Sequence, residues 1–263
     1  MKKILITGAN SYIGVNVGRY LSSFGNLYTV DELDVKGEGW KTFNFSSYDA
    51  VFHVAGIAHV KETKENAHLY YEINCDLAVK IAQKAKEEGV SHFVFMSSMS
   101  VYGLESSKDL INSNTPTLPK TNYGKGKLKA EKLLSELSSD NFAVTLVRPP
   151  MVYGDGCPGN LTKLFNVVRK FHIFPTIKNQ RSSITVEKLS YEIKKIIDNG
   201  IEGVCLPQND EYLCTSEIVK QQMDKENVKV LYTSLFNPII KFLIGKIGLI
   251  TKAFGDLKYE RAE

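Results

Sequence analysis

Short apolar runs alternate along the chain with stretches whose apolar residues recur three and four apart. That alternation predicts βαβ units around a parallel sheet. Lys3–Thr7 reads as a first buried strand, Tyr12–Phe24 as a helix stopped by Gly25, and Leu27–Asp31 as a second strand. Thr42–Phe45 leaves room only for a stub of a third strand, and Ala50–Ala55 is a continuous apolar run suited to the sheet centre. A long helix is expected over Asn66–Glu88, with Leu69, Ile73, Leu77 and Ile81 forming one stripe. His92–Ser97 follows as a strand, Tyr123–Leu137 as a helix and Ala143–Arg148 as a strand that Pro149 and Pro150 end. The rhythm then loosens, with helices expected at Leu161–Phe171, Glu187–Asn199 and Ser216–Glu226 and a short strand at Gly203–Leu206. The pattern as a whole predicts a doubly wound α/β sheet domain over residues 1–150, rejoined by about 184–206. A small C-terminal lobe would be built from 151–183 and 207–263.

The apolar stretch Leu235–Phe254 requires a decision. Lys241, Lys246 and Lys252 interrupt it, and Pro238, Gly245 and Gly248 weaken a continuous helix. Each lysine at mid-membrane would cost ~2.5–3.5 kcal/mol, which excludes a transmembrane span. The expectation is a helix packed into the small lobe, with a membrane-surface or partner-docking helix as the alternative.

Composition narrows the class further. Lys+Arg 33 against Asp+Glu 29 gives a net charge of +4, too mild for a nucleic-acid-binding face. Hydrophobic residues at 43% and charged residues at 24% are those of a globular protein. Cys75, Cys157, Cys205 and Cys214 form no CxxC pair, so reduced, metal-free packing cysteines are expected. His53 and His59 read as ordinary histidines at the sheet edge, and no metal is expected. Gly8 cuts the first apolar run below the ~7–15 residues of a signal-peptide core, which predicts a cytoplasmic protein.

The first strand runs directly into TGANSYIG, Thr7–Gly14. Gly8 allows a tight turn and close backbone approach, and Gly14 lets the following helix pack near the sheet. The helix start offers unpaired N–H groups to a pyrophosphate, so Gly8, Asn10, Ser11, Tyr12, Ile13 and Gly14 are candidate cofactor contacts. Ser11 stands where such motifs have a middle glycine, and its hydroxymethyl would either crowd the phosphates or bond them. An acid after the second strand would hold the adenosine ribose. Asp31, Glu32 and Asp34 compete for that place, and Asp31 is preferred on spacing. An acid there favours NAD, while Lys36 keeps NADP open.

A second constellation joins Ser97 and Ser98, at the carboxyl end of a strand, to Tyr123 and Lys127 in YGKGK. Residues four apart share a helix face, so phenol and ammonium would point together into the crevice. Bringing a tyrosine from pKa ~10 to ~7 takes about 4 kcal/mol. A unit charge ~5 Å away supplies about 3 kcal/mol at an effective dielectric of ~20. One lysine is thus roughly the perturbation needed to make Tyr123 a proton-transfer group, with a serine hydroxyl holding the substrate oxygen. Gly124 and Gly126 would let a ligand approach closely.

TGANSYIG, HVAG at His53–Gly56, SSMSVYG at Ser97–Gly103, YGKGK at Tyr123–Lys127 and RPPMVYG at Arg148–Gly154 occur in an order that resembles the extended short-chain dehydrogenase/reductase family, the nucleotide-sugar epimerases and dehydratases. The resemblance implies a Rossmann domain with a small C-terminal substrate-binding lobe. It implies Tyr123 as catalytic acid/base, Lys127 on the nicotinamide ribose and Ser98 as the hydroxyl partner. Ala55 and Gly56 would line the cofactor, and the run from Arg148 and Pro149 would pass beside the nicotinamide. Arg181 would face the substrate's phosphates, with Asn160 and Lys163 as further substrate-side residues. FGDLKYE resembles the tail of a capsule and O-antigen subgroup. The resemblance also implies a homodimer, paired through the two long helices.

The expected activity is NAD-dependent epimerisation of a nucleotide-sugar at C4 in cell-surface polysaccharide precursor synthesis. The alternatives are an NAD(P)H-dependent 4-keto nucleotide-sugar reductase and a dinucleotide-binding sensor without turnover.

Overall fold

A computed structural model describes residues 1–58 and 62–261; His59 lies outside the described residues. The chain divides into two compact units. The first comprises Met1–Gly103, Pro116–Val152 and Ile184–Pro207; the second comprises Leu104–Thr115, Tyr153–Ser183 and Gln208–Glu263.

The first unit is built on six strands: β1 (Lys2–Thr7), β2 (Tyr28–Leu33), β3 (Ala50–His53), β4 (His92–Met96), β5 (Ala143–Val147) and β9 (Gly203–Cys205). They pair in parallel in the order β2-β1-β3-β4-β5-β9. Side chains alternate across each strand, so each strand feeds two cores. Leu5, Val51, Phe93, Phe95, Val144 and Leu146 face one core, with Ala78, Ile81 and Ala82 of α3 (Leu77–Glu87) and Ala130 and Leu134 of α4 (Asn122–Leu137). Ile4, Ile6, Phe52, Val94 and Val147 face the other, with Val17 and Leu21 of α1 (Tyr12–Ser22) and Leu189, Ile193 and Ile196 of α6 (Val186–Asn199). The sheet is therefore doubly wound. The chain turns from β2 back across β1 to β3, which places a switch point, and hence a ligand crevice, at their carboxyl ends.

Three expectations fail here for physical reasons. Thr42–Phe45 forms no strand. A tight turn at Gly39–Lys41 bends the chain, and the Phe45 N–H donates to Glu88 Oε2 (2.5 Å) rather than to a sheet neighbour. The expected helix Asn66–Glu88 contains a π turn at Glu72–Asp76 between α2 (Ala67–Tyr71) and α3. The wider turn shifts the register, so Tyr70, Asn74 and Cys75 are buried while Leu69 of the expected stripe is exposed. His53 sits in the interior of the sheet, stacked on Phe93 and Phe95 and sharing a 2.7 Å hydrogen bond with Thr7 Oγ1.

The second unit packs α5 (Asn160–Phe171) against α7 (Thr215–Lys225) around Val168, Phe174, Val219 and Met223. A two-pronged Arg169–Glu226 pair at 2.6 and 2.7 Å ties the two helices. β7 (Ile173–Pro175) pairs in parallel with β10 (Leu231–Thr233). β6 (Met151–Tyr153) and β8 (Ser183–Thr185) carry the chain where it passes from one unit to the other. The segment 235–254 is not the packed helix expected. It forms two seven-residue helices, α8 (Asn237–Leu243) and α9 (Gly248–Phe254), and most of its large apolar side chains are exposed. Among the described residues, no helix is long and apolar enough to cross a membrane.

Candidate active site

The glycine turn is formed as its sequence requires. Gly8 has φ +115°, and a Cβ there would lie 2.7 Å from the Ala55 nitrogen, so only glycine fits. The N–H groups of Gly8 and Ala9 donate to Leu33 O, and the next turn runs through Asn10 at φ +64°. Ser11 is the N-cap of α1, its hydroxyl accepting from the Gly14 N–H at 3.2 Å. The side chain that the sequence left between crowding and bonding a pyrophosphate is thus used by the helix itself. Tyr12 and Ile13 form the first turn behind it.

The acids after β2 divide differently from the expectation. Asp31 accepts from the Tyr48 hydroxyl at 2.8 Å. Glu32 points the other way, as alternation along a strand demands, and its Oε2 accepts from the Asn10 N–H at 3.3 Å. The acid beside the glycine turn is Glu32, not Asp31. A residue count from Gly14 could not separate neighbours whose side chains point to opposite faces.

Beyond β3, the Ala55 N–H donates to Thr7 O (2.9 Å), and Gly56 packs where a Cβ would be 2.6 Å from Asn74 Oδ1 and 3.4 Å from Lys127 Nζ. Asn74 is fully buried and grips the main chain of Ile57 twice, as acceptor and donor, both at 2.9 Å. No periodicity in the sequence pointed to Asn74. The π turn is what aims it at this loop.

Ser98, Tyr123 and Lys127 come together in the first unit. Ser98 caps a short turn at Met99–Tyr102, its hydroxyl accepting from the Ser100 N–H at 3.1 Å. It also lies near the Tyr123 phenol. Burial pushes the Tyr123 pKa up, and the nearby Ser98 hydroxyl draws it partly back. That direction is opposite to the depression expected from the lysine. The reason lies in Lys127, whose ammonium donates to Met96 O at 2.7 Å and lies 4.5 Å from the centre of the Phe95 ring. Burial lowers the Lys127 pKa to about 7, against a smaller raising effect of Glu131. The same burial, with the Lys127 charge, lowers His53 to about 3, so His53 is neutral.

The start of α4 explains its glycines. The Thr121 hydroxyl caps it by accepting from the Gly124 N–H, and Glu62 accepts from the Asn122 and Tyr123 N–H groups, each at 3.2 Å. A Cβ at Gly124 would lie 2.7 Å from Ser100 O, and one at Gly126 would lie 2.6 Å from Tyr70 O. These glycines admit the protein's own backbone, not a ligand, and they bring Tyr123 against the Ser98 turn.

One helical turn beyond Lys127, Glu131 organises a buried network. Its carboxylate receives the Ser97 hydroxyl at 2.5 Å and two Arg148 bonds at 3.0 and 2.7 Å. Arg148 also donates to the Tyr102 hydroxyl at 2.9 Å. The Arg148 side chain, expected beside the nicotinamide, is therefore buried inside the fold. Pro149 contributes its carbonyl, which accepts from the Met99 N–H at 2.9 Å.

Of the substrate-side residues, Ser98 lies in the first unit and Asn160, Lys163 and Arg181 in the second. Asn160 and Lys163 are exposed on the first turn of α5. Arg181 Nη1 donates to Gly255 O at 2.6 Å and Glu105 O at 3.3 Å, and burial lowers its pKa to about 10. The structure gives Arg181 a bracing task in that unit.

Residues 4–181 match the profile of the NAD dependent epimerase/dehydratase family. The chain belongs to that family. A UDP-glucose 4-epimerase of Vibrio cholerae is 26% identical, over 98% of this chain and 87% of its own. An Escherichia coli O157:H7 N-acetyl-alpha-D-glucosaminyl-diphospho-ditrans,octacis-undecaprenol 4-epimerase is 24% identical, over 73% of this chain and 63% of its own. Among solved structures, a dTDP-4-dehydrorhamnose reductase of Clostridium acetobutylicum superposes with a TM-score of 0.74 at 23% identity, covering 88% of this chain and 82% of its own. A UDP-glucuronic acid 4-epimerase of Bacillus cereus, in complex with NAD, superposes with a TM-score of 0.74 at 17% identity, covering 88% and 85%.

As a member of this NAD(P)-dependent family the chain is an enzyme of the nucleotide-sugar epimerase or reductase type. Its residues fit a dinucleotide. Gly8 at φ +115° forms the tight turn into α1, whose N-terminus faces that turn, and the Glu32 carboxylate lies beside it through the Asn10 N–H.

Proposed function

We propose that this enzyme is an NAD-dependent 4-epimerase of a nucleotide-sugar. The observation that supports the reading is the placement of Tyr123 and Lys127 four apart on α4, with Tyr123 beside the Ser98 turn and Lys127 Nζ close to Gly56. Bound NAD supplies a hydride acceptor and donor. The protein's part is to move a proton and hold the sugar. Tyr123 exchanges the C4 hydroxyl proton, and the Ser98 hydroxyl steadies the phenol and the substrate oxygen. Lys127 would supply the positive charge that favours the phenolate and would hold the cofactor ribose. Glu32 receives the adenosine ribose hydroxyls, and its charge disfavours a 2′-phosphate. Asn160 and Lys163, exposed on α5, are assigned to the nucleotide-sugar.

The curated 4-epimerase relatives support this assignment. The relative whose substrate is a lipid-linked sugar diphosphate, together with the FGDLKYE tail, supports a place in cell-surface polysaccharide precursor synthesis, on the cytoplasmic side. We also assign a homodimer paired through α3 and α4; only a monomer in sedimentation at micromolar concentration would refute it.

The second reading, a 4-keto-sugar reductase, is favoured by the reductase fold neighbour. The two differ in electron balance. Epimerisation leaves the nicotinamide unchanged after each turnover, whereas reduction consumes one NAD(P)H. Purified protein given UDP-hexoses with NAD, and a 4-keto nucleotide-sugar with NAD(P)H, separates them. C4-epimer formation without net change in reduced-nicotinamide absorbance supports the epimerase, and stoichiometric loss of that absorbance supports the reductase.

A further inference from the structure

In the segment 235–254, Phe254 packs against Phe174, but many of the other large apolar side chains do not pack inward. Leu235 (75% exposed), Phe242 (67%) and Leu249 (81%) are turned to solvent, joined by Phe236, Ile239 and Ile247. The small Thr251 is the buried residue here. It fixes the bend between the helices, its hydroxyl donating to Ile247 O at 2.9 Å and accepting from the Gly245 N–H at 2.8 Å. Lys252 pairs with Glu105 at 3.3 Å and pins α9 within the unit. The backbone is thus held while the large apolar groups point outward. Exposed apolar groups in this number mark an interaction surface.

Charge selects the partner. The segment contains Lys241, Lys246 and Lys252 and no acidic residue. Lys241 and Lys246 are exposed among the apolar residues, and the Lys246 ammonium lies 3.2 Å from the centre of the Phe242 ring. Ile239 and Phe242, three apart on α8, share a face. Apolar residues bordered by lysines, on helices of seven residues that cannot span a bilayer, fit a surface lying in the plane of an anionic membrane. A second copy of the same face would set lysines against lysines, whereas anionic headgroups would neutralise them.

We propose that residues 235–254 dock the second unit onto an anionic lipid bilayer. The inference stands apart from the reading of the active site, and its test reads no turnover. The full chain is sedimented with vesicles of phosphatidylcholine containing phosphatidylglycerol, and with phosphatidylcholine alone, at low and high salt. The wild type is expected to pellet with anionic vesicles and many-fold less with neutral ones. Phe242→Glu/Leu249→Glu alters only exposed positions, so its melting curve should match the wild type while its vesicle binding falls at least tenfold. Lys241→Gln/Lys246→Gln should weaken anionic binding by roughly 25-fold, at about fivefold per lysine.

Three results would overturn the proposal. The wild type could stay in the supernatant at low salt, or the Glu variant could pellet equally well. Alternatively, the wild type could ignore vesicles yet sediment as an oligomer that the Glu variant dissolves, which would assign the face to a second copy.

Discussion

Burial drives both Tyr123 and Lys127 toward their neutral forms. Burial raises the phenol, and burial lowers the ammonium to about 7. Lys127 belongs to the fold at a cost. Between about 7 and its ordinary 10.5 the unfolded chain holds a proton that the folded chain has released. The site's contribution to stability therefore rises as pH climbs through that window, and the full penalty applies below it. Lys127→Met should raise the melting temperature at about pH 6, a gain on the order of a few kcal/mol less about 1 kcal/mol for the lost Met96 bond, and the gain should shrink toward pH ~10. Calorimetry across that range checks it; a destabilised variant at low pH would contradict the burial cost. Tyr123→Phe should lower turnover by about 10²–10⁴-fold while the protein still retains cofactor, read by a coupled assay and by mass spectrometry of the released small molecules. At this scale Ser98, Tyr123, Lys127 and Gly8 were legible because their spacing is set by one turn or one helix. Glu32 and Asn74 were not. One depends on which face of β2 an acid occupies, the other on a π turn that leaves no mark in an apolar repeat.

The junction of α4 with the Ser98 turn sets the site's geometry. On helix propensity alone, Gly124→Ala would stabilise α4 by about 1 kcal/mol. The 2.7 Å separation from Ser100 O reverses the sign. The variant should be destabilised by about 1–3 kcal/mol and lose activity, measured by urea unfolding beside a coupled assay. A more stable variant would show that helix and turn do not meet as described. Further along α4, Glu131 and Arg148 form a buried pair exposed by only 3% and 7%. Arg148→Met leaves Glu131 charged and buried without its main partner, so it should cost about 3–5 kcal/mol. Adding Glu131→Leu should recover much of that loss, and a double variant no better than the single would refute the pairing. The strands and helices of the sheet domain were readable because burial on two faces writes continuous apolar runs. Thr42–Phe45 misled because an alternating Thr-Phe-Asn-Phe run serves equally well as a packed loop, and Phe45 is buried there without strand pairing.

Across the whole molecule, two interleaved units divide the work. The first carries the glycine turn and the proposed Tyr123–Lys127 pair, and the second presents exposed apolar groups among lysines. Leu235–Phe254 was the hardest part of the sequence to place. A run of apolar residues looks the same whether it is to be buried by its own lobe or offered to another surface; the fold of residues around Thr251 separates the two. The central claim is that the Ser98–Tyr123–Lys127 site inverts C4 of a nucleotide-sugar without net redox. Proton NMR of purified protein with UDP-hexoses and catalytic NAD tests it most directly. Both C4 epimers should grow to a fixed ratio from either starting sugar, with nicotinamide unconsumed and with no conversion by Tyr123→Phe. Conversion that proceeds undiminished in Tyr123→Phe, or that stops once the supplied NAD has been reduced, would contradict the account.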